Sequence, residues 1–374
     1  MIDTVWKAEL MRIAFVVFTL LHGLIHVLGF VKAFGLSDVK QLSQPISKTF
    51  GILWLLAFAL LVGAAGLFAM GKSYWWTIAL IAIVVSQVLI IYFWQDAKVG
   101  TIANIVILLA AVYGYGSWGF YRGYQNDVQG CAQHIGDRRD SILSEADIAP
   151  LPEPVRRYLH YTGCVGKPKV KSFCIEFIGR LRKDERSEWM PFTSEQYNFM
   201  NTPTRLFFMK AVMKHLPVAG YHRYRNGRAI MDIRLLSLFT VQYQEGDEMN
   251  RAETVTFFND MCCMAPATLI DKRIVWLQTE RNTVRARFTN NDISITADLF
   301  FNDIGELVNF RSNDRYNVDV GQRLPWSTPL KDYKQQNGYK LATTAEAIYT
   351  YPDKDVCYGT FTITSIRYND VAPR

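Results

Sequence analysis

A gap in charge constrains this chain more than any other feature. Between Ile13 and Tyr121 only seven residues carry a charge: Lys32, Asp38, Lys40, Lys48, Lys72, Asp96 and Lys98. The first twelve residues hold four more, and the other 64 of the 75 charges fall in the 253 residues from Arg122 onward. That second density, about 25%, is ordinary for a soluble globular domain. A chain divided this way is neither wholly soluble, nor disordered, nor a small disulfide framework.

Within the gap lie four apolar segments, Ile13–Phe34, Phe50–Met70, Tyr74–Trp94 and Val99–Tyr121. Each approaches the roughly 20 residues that cross a bilayer as a helix. Lipid offers no partner to a backbone N–H or C=O, so these segments are predicted as helices. The first is too long for the apolar part of a signal peptide and no small-residue cleavage site follows it, so it is expected to stay in the mature protein. Short links at Gly71–Ser73 and Gln95–Lys98 make the second, third and fourth spans antiparallel neighbours. Trp54, Trp75, Trp76, Trp94 and Trp118 lie mostly near segment ends, where amphipathic rings prefer the interface. The expected layout is a four-span anchor over residues 1–121, a polar connector over 122–150 and a soluble domain over 151–374. Four spans put the amino terminus and the large carboxy-terminal domain on one side of the membrane. Positive charge is balanced across the two sides, but the longest loop, Gly35–Thr49, carries two lysines, Lys40 and Lys48, with Lys32 just before it. That leans toward a cytoplasmic loop and an extracytoplasmic domain.

Polar side chains inside lipid are costly and point to function. His22 and His26 sit one helical turn apart on one face of the first span. Two imidazoles at this spacing are a metal-ligand pattern, yet zinc needs a third ligand at equal depth. The plainer expectation is a hydrogen bond from His26 to Gln87, at matching depth on the third span. The stretch Trp94–Asn104 is unusually polar for a link between spans. It reads either as a capped turn, with Asp96 paired to Lys98 and Asn104 satisfying a carbonyl, or as a substrate site.

From Lys169 onward apolar and polar residues alternate. Strands are expected over Val170–Leu181, Gln196–Met200, Arg205–Val212, Ala229–Leu236 and Phe239–Tyr243. Further ones follow over Arg273–Thr279, Thr283–Thr289, Ile293–Phe301, Glu306–Asn313, Gly338–Thr350 and Cys357–Tyr368. Turn signals such as Asn226-Gly and Asn337-Gly separate them. This is an antiparallel meander of ten or eleven strands, without the spacing of a parallel doubly wound sheet. A short helix is expected at Val155–Tyr161, with proline in its first turn. One longer helix interrupts the strands at Arg251–Met264, stopped by Pro266. The fold class is therefore a four-helix transmembrane bundle plus an α+β domain, a large curved antiparallel sheet with an inserted plug helix.

Such a half-barrel either closes dry or leaves an oily hollow beside its helix. The candidate ligand-binding residues are Glu253, Phe257, Phe258, Met261 and Met264 on the helix, Trp276 on a strand, and the neighbours Arg315 and Tyr316. Arg315 has two readings, contact with a phosphate or carboxylate headgroup and an ion pair with Glu253. The six cysteines form no Cys-x-x-Cys pair and are expected as free thiols. No phosphate-binding loop or nucleophile elbow is present. His160, His215 and His222 stand near no carboxylate–nucleophile pattern, so no catalytic residue is assigned. Tyr221–Arg228 mixes aromatics with arginines as nucleic-acid surfaces do. Its Asn-Gly centre makes it a hairpin tip instead, with charges better suited to anionic lipid headgroups.

Several strings resemble a bacterial family of four-span membrane proteins without an established activity. They are Leu151–Leu159 (LPEPVRRYL), Trp189–Phe192, Asn250–Glu253, Pro266–Leu269, Asp314–Tyr316, Pro325–Pro329 with Tyr333, and Tyr358-Gly. In the membrane half they are His22–His26 and Ser86–Ile90 through Trp94–Lys98. The resemblance implies a soluble domain similar to the curved sheet of lipoprotein-carrier and lipoprotein-receptor proteins. Those are usually periplasmic and bind acyl groups on a half-barrel's concave face. The expected function is thus a membrane-anchored module that binds a lipid or lipoprotein acyl chain without bond chemistry. Membrane lipids or a lipoprotein are its partners, nucleic acid is not, and no cofactor is expected. Nothing in the sequence sets an oligomeric state. The alternatives are a metal or redox protein built on His22 and His26, and a purely structural membrane protein.

Overall fold

A computed structural model of the chain describes residues 2–133, 141–214, 216–318 and 320–370. It divides into two compact units, Met1–Phe120 and Tyr121–Arg374.

The first unit is helical. It comprises α1 (Ile2–Ala33), α2 (Lys48–Ala69), α3 (Trp75–Tyr92), the single turn α4 (Trp94–Ala97) and the first part of α5 (Gly100–Ala132). Four of these, α1 over Glu9–Ala33, α2, α3 and α5, are long and apolar enough to cross a membrane. Small residues let the helices approach closely. Ala57, Ala64, Ala79, Ala82 and Ala111 are all buried at helix contacts. Gly29 lies against the Trp54 ring, where an added Cβ would come within 2.2 Å of the indole.

Polar side chains tie the same bundle together. His22 Nε2 meets Asn104 Oδ1 at 2.9 Å, and His26 Nε2 meets Ser86 Oγ at 2.9 Å. His26 Nδ1 lies 3.0 Å from the His22 carbonyl. A carbonyl only accepts, so Nδ1 carries a proton, and in the neutral ring Nε2 accepts from Ser86. The expected His26–Gln87 bond is not made. Gln87 is turned about 100° around α3 from the buried Ser86, and instead meets Asn104 at 3.0 Å and Thr101 at 3.2 Å. Nor does Asp96 pair with Lys98: it accepts from the Ser43 amide (2.7 Å) and hydroxyl (2.8 Å) and from the Gln44 amide.

The second unit begins with the rest of α5, followed by α6 (Glu145–Ile148) and α7 (Glu153–Thr162). Pro154 stands in the first turn of α7, and Gly163 ends it at φ +69°, a left-handed cap that glycine adopts without strain. The strands are β1 (Ser172–Leu181), β2 (Met190–Phe199), β3 (Thr204–Met213), β4 (Leu216–Arg225), β5 (Arg228–Leu235) and β6 (Phe239–Glu245). After α8 (Asp247–Met264) and a 3-10 turn come β7 (Ile274–Glu280), β8 (Thr283–Asn290), β9 (Ile293–Phe301) and β10 (Leu307–Ser312). The small hairpin β11 (Tyr316–Asn317) and β12 (Gln322–Arg323) precedes β13 (Trp326–Gln336), β14 (Tyr339–Thr350) and β15 (Asp355–Tyr368).

Thirteen of these form one antiparallel sheet in the order β6-β5-β4-β3-β2-β1-β15-β14-β13-β10-β9-β8-β7. The sheet is open, because its edges β6 and β7 do not pair. It is also bent, since turns from its two halves meet: Asn291 donates to the Asn226 carbonyl (2.9 Å) and Arg273 to the Met200 carbonyl (2.6 Å). Two strands of this sheet lie beyond the sequence expectation, β4 and β13, as does the separate β11–β12 hairpin. Pro217 and Gly220 blur the alternation of the first, and Pro325 and Pro329 that of the second. Tyr221–Arg225 accordingly lies within β4, with Tyr224 fully buried, and only Asn226-Gly227 forms the tip.

Period-2 alternation puts both faces of the β2–β4 region to use. Gln196, Arg205, Phe207 and His222 point to the concave side. Glu195, Phe208 and Tyr221 point outward, against the last turns of α5: Tyr124 donates to the Glu195 carbonyl (3.2 Å) and Tyr221 to Asp127 (2.7 Å). On the concave side α8 is buried almost all round. Phe258 stacks parallel to Phe288 at 5.3 Å and meets Phe310 edge-on at 5.8 Å. Truncating a fully buried aromatic of this kind leaves a cavity costing about 3–5 kcal/mol. Phe258→Ala is therefore expected to lower the unfolding free energy of the β-domain by that amount, measured by urea denaturation.

Candidate functional site

α8 carries two different faces. Val255, Phe258 and Cys262, spaced at helical intervals, join Phe257 and Met261 in the aromatic packing against β8–β10. Glu253, Thr256, Asp260 and Cys263, spaced by three and four, face the other way. They look across a cavity of about 180 Å³ toward β1, β3 and β13–β15. The opposite wall is mainly apolar, with Phe177, Leu181, Met209, Leu330, Phe361 and Ile363, although Thr343, Thr344 and Glu346 also line it. Close-packed interiors rarely leave voids larger than a water molecule. This one exceeds the roughly 150 Å³ of apolar cavities that take up benzene.

The polar face is held by one arginine. Arg205, on β3, donates through Nε to Asp260 Oδ2 (2.9 Å) and through Nη1 to Glu253 Oε2 (3.1 Å). Gln196 (2.8 Å) and Asn198 (3.1 Å) bring two more donors to the same Asp260 oxygen. His222 Nδ1 stands 3.6 Å from Glu253 Oε1. Burial alone would raise the Glu253 carboxyl, but Arg205, His222 and Arg315 hold it down at about 2. Burial dominates at Asp260 and pushes its pKa up, against the pull of Arg205 and Asn198.

A second guanidinium lines the cavity separately. Arg315 donates from Nε to Tyr349 Oη (3.2 Å) and from Nη1 to the Ala252 carbonyl (2.9 Å) and the Thr256 hydroxyl. Its plane lies over the Trp326 ring, 4.6 Å from the centroid. The helix end is closed by hydroxyls, Tyr158 donating to the Cys262 carbonyl (2.9 Å) and Tyr368 to that of Met264.

A family model described as a family of unknown function (DUF6544) matches residues 141–361, more than half of the chain. The chain belongs to that family. Comparison with curated proteins finds no match. Among solved structures, this DUF6544 chain is similar to a domain described as an outer membrane lipoprotein-sorting protein from Vibrio parahaemolyticus, at 11% identity and a TM-score of 0.34, over 54% of this chain and 87% of that one. A LolA superfamily protein from Nitrosomonas europaea follows at 9% identity and 0.30, over 59% and 93% of the two chains. A DUF1329 family protein from Desulfovibrio piger follows at 9% identity and 0.34, over 62% and 96%. The likeness is one of fold, and the site is read from this DUF6544 chain alone.

Of the residues proposed from sequence, Glu253, Met264 and Arg315 line the cavity. Phe257, Phe258 and Met261 do not: each is fully buried on the far side of α8. Trp276 is half-buried against the core from the edge strand β7, and Tyr316 sits in the small β11–β12 hairpin. Arg315 and Glu253 do not form the expected ion pair, because Arg205 takes Glu253. Arg205, Asp260, Gln196 and His222 escaped the sequence reading. The polar spacing Glu253-x-x-Thr-x-x-x-Asp260 was the available signal. His222 stands beside Glu253 and His160 beside Glu145 (3.4 Å), while His215 lies outside the described residues, as do residues 134–140 of the expected connector. All six cysteines are free. Among the described residues no three His, Cys, Asp or Glu side chains gather as a metal site, so His22 and His26 have no third ligand of that kind.

Arg205→Met strands two buried carboxylates and is expected to cost about 3–5 kcal/mol at neutral pH. Glu253 has a depressed folded-state pKa, so its stabilisation is present above the usual 4.5 and lost as pH falls toward about 2. Asp260, with its raised pKa, acts in the opposite sense. Glu253→Gln should therefore remove the Glu253 share of the acid-side decline, seen as a flatter plot of urea-unfolding free energy between neutral pH and about 3.

Proposed function

We propose that the protein is a membrane-anchored binding module that holds the apolar chain of an amphiphile, a lipid or a lipoprotein acyl group, on the concave side of its sheet. The observation that carries this is the cavity itself, with a mainly apolar wall of sheet residues facing a polar, charged helix face. An apolar ligand recovers about 0.8 kcal/mol for each methylene it buries there, while the polar face orients its other end. The site needs no bond chemistry for this task. The four spans hold the module at a bacterial inner membrane, and the lysines of the Gly35–Thr49 loop favour an extracytoplasmic domain.

The test is photo-crosslinking of the full chain in nanodiscs with alkyl probes carrying a diazirine near the chain end. Peptide mass spectrometry should find adducts on Met209, Leu330, Phe361 or Ile363. Adducts confined to the lipid-facing residues of the four spans would contradict the proposal.

A further inference from the structure

We propose that the Arg315 end of the cavity recognises an oxyanion, so that the amphiphile held there bears a carboxylate or phosphate headgroup. This rests on the binding-module proposal and specifies its ligand. The two guanidinium groups of the cavity differ in how they are used. Arg205 is consumed by Asp260 and Glu253. Arg315 has no carboxylate within ion-pair distance among the described residues, although buried cations are ordinarily paired. Its Nε and Nη1 donate to neutral oxygens of Tyr349, Ala252 and Thr256. These bonds and the Trp326 ring fix the plane of the guanidinium, and they leave Nη2 without a partner among those residues. The side chain that carries this unused Nη2 borders the cavity.

The two N–H groups of an oriented Nη2 suit a carboxylate or phosphate oxygen. A cationic headgroup at this end would be repelled by the Arg315 charge itself, and Glu253, the carboxylate whose charge reaches Arg315, is taken by Arg205 and His222. Leu330, Ala345 and Phe361, on the wall facing α8, are placed to receive the chain behind such a headgroup.

The test uses the same full chain in nanodiscs and measures how well unlabelled competitors suppress the cavity adducts. The competitors are palmitate, hexadecyl phosphate, hexadecan-1-ol and inorganic phosphate. In the unaltered protein the two anionic amphiphiles should compete at concentrations about tenfold or more below the alcohol, the worth of a charge-assisted hydrogen bond. Arg315→Gln should bring acid and alcohol together, and Arg315→Lys should retain part of the preference. Equal competition by acid and alcohol in the unaltered protein would overturn the proposal without recourse to any variant, while cavity labelling would still uphold the binding module. An undiminished preference in a folded Arg315→Gln protein would overturn it as well. So would inorganic phosphate competing as effectively as palmitate, which would assign the site to a free anion. If no probe labels the cavity, the binding-module proposal fails and this one with it.

Discussion

Two carboxylates buried on one helix face, and the single arginine between them, determine how the β-domain is assembled. α8 lies inside a bent thirteen-stranded sheet with nearly every side chain covered. Glu253 and Asp260 cannot be sunk into the packing around Phe288 and Phe310 without a large desolvation cost. They turn instead toward β3, where Arg205 bridges them with Gln196 and Asn198 in support. Turning α8 by half a revolution would put Phe258 in the cavity and the carboxylates among aromatics. The ion cluster therefore sets the rotation of the helix more than it adds to net stability.

The cavity follows from that rotation. A polar stripe cannot pack dry against Leu181, Phe361 and Ile363, so the sheet and the helix stand apart where the two meet. Phe257, Phe258, Val255 and Met261 close the other side of α8 completely. One helix thus does two things: its apolar face completes the core, and its polar face keeps a hollow lined by opposite chemistries. The hydrogen-bonded cluster of His22, His26, Ser86, Gln87 and Asn104 does a simpler job in the helical unit, joining α1, α3 and α5 where lipid supplies no partners.

Much of this was legible beforehand. The charge gap marked the four spans because lipid admits so few charges, and turn residues such as Asn226-Gly227 marked the meander because only a few residues accept their backbone angles. The plug helix showed in its apolar density and its Pro266 stop. What escaped depended on contacts distant in the chain. β4 and β13 were hidden by prolines and a glycine that break alternation yet are tolerated within the sheet. Ser86 rather than Gln87 met His26 because helix rotation, not depth, chose the partner. The rotation of α8 was missed because apolar residues occur on most of its circumference, and only Arg205, nearly fifty residues earlier, decides which side faces inward.

A cavity-filling substitution tests most directly whether the hollow is real space used by a ligand. Ala345 on β14 borders it opposite α8. If the space is open, Ala345→Phe should leave the unfolding free energy of the β-domain within about 1 kcal/mol of its original value, since the ring enters an unfilled volume. It should at the same time abolish alkyl-probe labelling at Met209 and Phe361. A loss of about 1–3 kcal/mol, the usual cost of overpacking a filled core, together with unchanged labelling, would contradict it.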